Sequence, residues 1–264
     1  MPFPEARRVI YGRNPLDRVI CQLRFPPILR IDVEIPANFQ ERIRADFPKF
    51  VEKTEFRIDL PILHEGDTPT EMLSQVVPMP GNKNYEFASE DDTWRVNLTR
   101  SFIALTATRY QRWEEFRETL RGPVDALFDI YSPTHIARVG LRYIDLIRRS
   151  VLGLDAVPWG DLMNPHLVGL LGSPDVGRYV QSLETAHEIR LSDGESSVRL
   201  ITRLVELPET GESCFVIDSD FYNASRLDTT EVQEKLDYFN QRGSRLIQWC
   251  IADRLHEAME PLAL

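Results

Sequence analysis

Between Arg18 and Phe25 the chain alternates with a period of two. Val19, Cys21, Leu23 and Phe25 fall on one side, and Arg18, Ile20, Gln22 and Arg24 on the other. That period specifies a strand with one buried face. Pro26-Pro27 then withdraws two backbone donors and stops the pairing. Asn14-Pro15 just ahead favours a turn that Asp17 can cap through its side chain. Residues 1–13 read as a loose lead-in, and Ile28 to Glu34 as a second extended piece. A chain built around such a strand needs partner strands and something to cover the apolar face.

The partners are legible downstream. Phe39, Ile43 and Phe47, spaced by four, predict a short helix from Ala37 to about Asp46, closed by Pro48. Phe56 to Leu63 and Glu71 to Val77 read as short edge strands broken by Pro61, Pro69, Pro78 and Pro80. Gly81 to Asn84 reads as a turn. Tyr85 to Ala88 and Trp94 to Leu98 flank the acidic tip Ser89-Glu90-Asp91-Asp92 as a hairpin, and Phe102 to Arg109 extends it to a three-stranded meander.

Trp113, Phe116, Leu120, Val124, Leu127 and Tyr131 then form one helical stripe, with Gly122-Pro123 predicting a kink or two abutting helices. His135 to Ile147 reads as a long strand with Gly140 marking a bulge or a close backbone approach. A short helix is expected near Trp159 to Leu171. Strands follow at Tyr179–Leu191, Ser197–Leu207 and Cys214–Tyr222, joined by turns at Ser192-Asp193-Gly194 and Pro208 to Gly211. Asp228 and Glu231 have capping-box spacing ahead of a last helical region to about Met259, with Gly243 as its expected break.

Runs of strands with a few covering helices predict an α+β fold, a largely antiparallel sheet or sheets with two long amphipathic helices. Two similar sheet-plus-helix lobes, residues 1–131 and 132–264, and one continuous domain both fit this pattern.

Charge and cysteine usage narrow the function. The net charge is −10 over 264 residues, which argues against non-specific binding to nucleic acid or anionic membranes. Cys21, Cys214 and Cys250 are odd in number and widely spaced. They predict free buried thiols rather than a disulfide framework or zinc site. No apolar run approaches a membrane span, and the N-terminus lacks a signal-peptide core. The expectation is a soluble cytoplasmic protein.

Gly-rich phosphate loops and the G-x-S-x-G elbow are absent from the sequence. The five histidines are isolated, and none lies at metal-ligand spacing to another. The sharpest polar feature is pairs that share a strand face, spaced by two at Gln22 and Arg24, Arg95 and Asn97, and Asp218 and Asp220, and by four at Arg138 and Arg142 and at Arg199 and Arg203. If such faces line one concave sheet, they would hold a phosphate or carboxylate bidentately, with a divalent cation conceivable on the aspartates. The plainer reading is a solvated sheet face crossed by Arg–Asp pairs. A tunnel-type triphosphatase would need carboxylates on its first strand, and R-V-I-C-Q-L-R has none. Trp94, Trp113 and Tyr143 read as core rather than as stacking platforms for bases.

Asn14-Pro15-Leu16, Val19-Ile20 and Gln22-Leu23-Arg24-Phe25 resemble the start of a sporadically distributed bacterial family of uncharacterised proteins of similar length. The run Arg138 to Ile144, and Asp218 with Asp220 ahead of the last helix, are also similar to that family. Asp145 stands where the family usually has asparagine. The resemblance implies no activity, and its patchy occurrence fits genes carried with mobile or defence loci.

These readings lead to a non-catalytic binding or regulatory component without cofactor or metal, meeting a protein partner or small anionic ligand. The candidate ligand residues are Gln22, Arg24, Arg138, Arg142, Arg199, Arg203, Asp218 and Asp220. The alternative is an enzyme acting on a phosphoester or nucleotide through Arg24, Arg138, Arg142, Asp218 and Asp220.

Overall fold

The computed structural model describes residues 2–57 and 77–263. Most of the strands expected over Phe56–Leu63 and Glu71–Val77 lie outside the described residues. The class is α+β with a large antiparallel sheet, and no helix among the described residues is long and apolar enough to cross a membrane.

The strands are β1 (Val9–Tyr11), β2 (Leu16–Arg24), β3 (Lys49–Arg57), β4 (Val77–Ala88), β5 (Trp94–Leu98) and β6 (Phe102–Ala107). They continue with β7 (Arg138–Ile147), β8 (Glu184–Arg190), β9 (Ser196–Glu206), β10 (Ser213–Asn223) and β11 (Pro261–Ala263). Nine of them follow the hydrogen-bonded order β3-β4-β5-β6-β2-β7-β10-β9-β8, while β1 and β11 pair separately. The chain divides into two compact units, each assembled from several segments.

One unit comprises residues 18–141 and 223–236. In it β2 lies antiparallel to β6, with Val19 opposite Ala107 and Leu23 opposite Ile103. Val19, Cys21, Leu23 and Phe25 are all buried, as the alternation requires. β4, β5 and β6 form the expected meander. Its tip is tied by Asp91, whose Oδ1 accepts from the Ser89 hydroxyl at 2.7 Å and the Thr93 hydroxyl at 2.6 Å.

Two local expectations fail here. Ile28 to Glu34 is not extended; it forms a helical turn, α1 (Arg30–Val33). The Ile31 and Asp32 amides donate to the carbonyls of Ile28 and Leu29, so the turn satisfies its own backbone while Ile31 is buried. Gly81 to Asn84 is not a turn but part of β4, in which Lys83 and Asn84 pair with Thr54 and Lys53 of β3 beside a register shift. Helix α2 (Ala37–Ile43) buries Phe39 and Ile43. Helix α3 (Trp113–Tyr131) passes through Pro123 unbroken and buries Trp113, Phe116, Leu120 and Leu127. Packing of that stripe outweighs the one backbone donor that proline removes.

The other unit comprises residues 1–17, 142–222 and 237–264. It contains β8, β9 and most of β7 and β10, together with α4 (Arg149–Leu152), α5 (Pro165–Val168) and most of α6 (Thr229–Cys250), with α7 (Asp253–Ala258) after it. Phe215, Ile217, Phe221, Phe239, Leu246, Cys250 and Leu255 are buried in its core. The lead-in is ordered after all: β1 pairs antiparallel with β11, Ile10 opposite Leu262. The Tyr11 hydroxyl also meets His256 Nδ1 at 2.9 Å. A three-residue strand whose partner lies some 250 residues away leaves no periodic trace. Helix α6 does not break at Gly243. An added Cβ there would lie 2.8 Å from Tyr143 Cε2, so the glycine makes room for that ring. The tyrosine hydroxyl donates to Asn240 Oδ1 one turn earlier, at 3.1 Å.

Candidate functional site

The polar positions of the second unit gather on one sheet face. Arg142 on β7 and Asp218 on β10 are bound side by side: Nε donates to Oδ1 at 2.7 Å and Nη2 to Oδ2 at 2.6 Å. The Arg142 side chain is 12% exposed and that of Asp218 only 2%. A pair so desolvated persists because the planar fork of arginine satisfies both carboxylate oxygens at once. Burial would lower the Arg142 pKa, but the field and hydrogen bonds of Asp218, with Asp220 adding to them, leave it raised.

Arg203 on β9 belongs to the same cluster on different terms. It is 4% exposed, and its Nε has no hydrogen-bond partner. Burial lowers its pKa, and Arg142 adds repulsion; Asp218 and Glu184 oppose them through space. Two guanidiniums thus share the field of one carboxylate whose oxygens are both taken by Arg142.

Further out, the antiparallel register places Glu184 opposite Arg203 and Glu188 opposite Arg199 across β8 and β9. The Tyr222 hydroxyl of β10 donates to Glu188 Oε1 at 2.5 Å. Period two carries Asp218, Asp220 and Tyr222 along a single side of β10. Of the eight residues expected, Arg142, Arg203, Asp218 and Asp220 therefore act on one another within this unit, and Arg199 sits opposite Glu188. Sequence reasoning missed Tyr222, Glu184 and Glu188. Tyr222 was available by extending the Asp218–Asp220 alternation one step, whereas the glutamates required knowing that β8 is the neighbour of β9.

The remaining three residues belong to the first unit. Arg24 Nε donates to Gln22 Oε1 at 3.0 Å on the same strand, an exposed contact. Arg138 folds its guanidinium over Gly140, where a side chain would collide with it. What crowds Gly140 is therefore a side chain, that of the residue two before it, and not the close backbone approach expected there.

A second polar group lies on the other side of β7. Asp145 is 4% exposed. Burial, with the negative charge of Asp218 second, pushes its carboxyl up to about 7. Burial likewise raises the Tyr11 hydroxyl and the Cys250 thiol, and the charge of Asp145 adds to both. All three cysteines are free and buried.

No protein-family model matches the chain, and no curated protein matches it either.

Proposed function

We propose that the protein is a non-catalytic binding component whose β7-β10-β9-β8 face receives a small anionic ligand, a carboxylate or phosphate, at Arg203. The observation that carries this reading is the unfilled Nε of Arg203. Arg203 is buried, yet its Nε lacks an acceptor, and Asp218, whose charge opposes the cost of burying it, has given both oxygens to Arg142. A buried cation with an idle N–H is stabilised by an anion that reaches it in the plane of the guanidinium. Arg199, opposite Glu188 at the rim, would contribute orientation rather than affinity.

The enzymatic alternative requires Asp218 to hold a cation or move a proton. The Arg142 fork already occupies both of its oxygens.

The test is thermal unfolding of the full chain with inorganic phosphate, pyrophosphate and citrate, against sodium chloride at matched ionic strength. A ligand present at 100 times its Kd adds about 2.7 kcal/mol to stability. Arg203→Met should abolish the added stability and Arg199→Met should retain most of it. Equal behaviour in the salt control, or a response unchanged in Arg203→Met, would refute the reading.

A further inference from the structure

Among the described residues strand β8 ends the sheet order, so one of its edges has no neighbouring strand there. The Leu191 amide donates to Ser196, and Leu183 accepts from Leu204. Odd-numbered positions of β8 therefore turn their backbone groups toward β9. By the alternation of an antiparallel ladder, Glu184, Ala186, Glu188 and Arg190 point theirs outward. All four of these residues are exposed. The strand carries no proline and no bulge in its pairing with β9, the devices that usually close such an edge.

Its charges do not close it either, because of how they are ordered. The segment reads Glu-Thr-Ala-His-Glu-Ile-Arg, residues 184 to 190. Laid antiparallel against a second copy about a two-fold axis at His187, it places Glu184 opposite Arg190 of the partner subunit, and Arg190 opposite Glu184 of the partner subunit. Ala186 then faces Glu188 of the partner subunit without a like charge. Sliding the axis to Ala186 would bring Glu184 against Glu188 of the partner subunit, and sliding it to Glu188 would set that glutamate against itself. Opposite charges directly across a ladder stabilise, and like charges destabilise. The same register joins residues that all turn their N–H and C=O groups outward, so hydrogen bonding and charge select one alignment.

We infer that the β8 edge is a homodimer interface, in which two copies pair antiparallel about His187 and continue the sheet from one subunit into the next. A two-fold contact of this kind is self-complementary and closed, so it yields a dimer and not a fibre. An edge-only contact is at the small end of interface sizes, which suits a reversible association.

The experiment is sedimentation equilibrium of the full chain over a concentration series reaching the submillimolar range. The expected species has twice the 30.5 kDa of the monomer. Arg190→Glu alone sets Glu184 against a glutamate at both ends of the ladder, and Glu184→Arg alone sets arginine against arginine. Each should weaken self-association at least about tenfold. An equimolar mixture of the two variants restores both opposite-charge pairs and should dimerise as wild type does. This recovery also shows that both variants are folded. Three results would overturn the inference: a wild-type monomer throughout the series, single variants that dimerise like wild type, or a mixture that stays monomeric. The mass readout is independent of anion binding at Arg203.

Discussion

The Arg142–Asp218 pair is the most strongly coupled contact in the candidate site, and its removal should be felt asymmetrically. Arg142→Ala leaves the Asp218 carboxylate at 2% exposure without its counter-ion, which should cost about 3–5 kcal/mol in urea unfolding. The double variant Arg142→Ala/Asp218→Ala should be less damaged than Arg142→Ala alone, since it removes the orphaned charge as well. Asp145 makes a prediction of opposite sign. Its folded pKa is raised from 3.8 to about 7, by burial first and by Asp218 second. Between those values the native state binds more protons than the unfolded chain. Stability therefore falls as pH rises from about 4 to about 7, and the whole penalty is present above that. Asp145→Asn should flatten this slope and raise stability at pH 8 by about 2–4 kcal/mol. Thermal unfolding of both proteins across that range checks it; parallel profiles would count against a buried carboxyl that resists ionisation.

At the scale of elements, periodicity read correctly wherever a face is buried along its whole length. The β2 alternation and the α3 stripe are the clear cases. It failed where punctuation residues were taken at face value. Pro123 lies inside α3, which is one helix and not two abutting ones, and the break expected at Gly243 is absent from α6. Gly243 can be tested directly. Replacing a helical glycine by alanine ordinarily stabilises by about 0.5–1 kcal/mol. Here the new Cβ would meet the Tyr143 ring at 2.8 Å, so Gly243→Ala should destabilise by about 1–3 kcal/mol in urea unfolding. Adding Tyr143→Leu should return part of that loss. A stabilised Gly243→Ala would mean that the glycine serves no packing purpose. Both missed punctuation marks share a cause: a local breaker is overruled when the side chains around it pack along one continuous face.

For the molecule as a whole, the cysteines offer a probe of cooperativity. Cys21 belongs to one compact unit and Cys214 and Cys250 to the other. Burial, its largest cause, pushes Cys21 up to about 12 and Cys214 up to about 11, and raises Cys250 as well. Thiolate is then scarce at pH 8, and labelling by a disulfide reagent should run at least about 100-fold slower than for a free thiol. Because β7 and α6 each run unbroken from one unit into the other, all three thiols should become reactive at one urea midpoint. Two separated midpoints would show that the units unfold independently.

The antiparallel α+β class and the buried face of β2 follow from the amino-acid order, because hydrophobic period and turn chemistry act over a few residues. The same local rules nominated Arg142, Arg203, Asp218 and Asp220 as polar positions on strands. That Arg142 takes both oxygens of Asp218, that Arg203 is left with an unfilled donor, and that β1 closes on β11 depend on which distant strands become neighbours. Those pairings are chosen by the burial of many side chains at once, and a single strand carries too little of that sum to announce its partner.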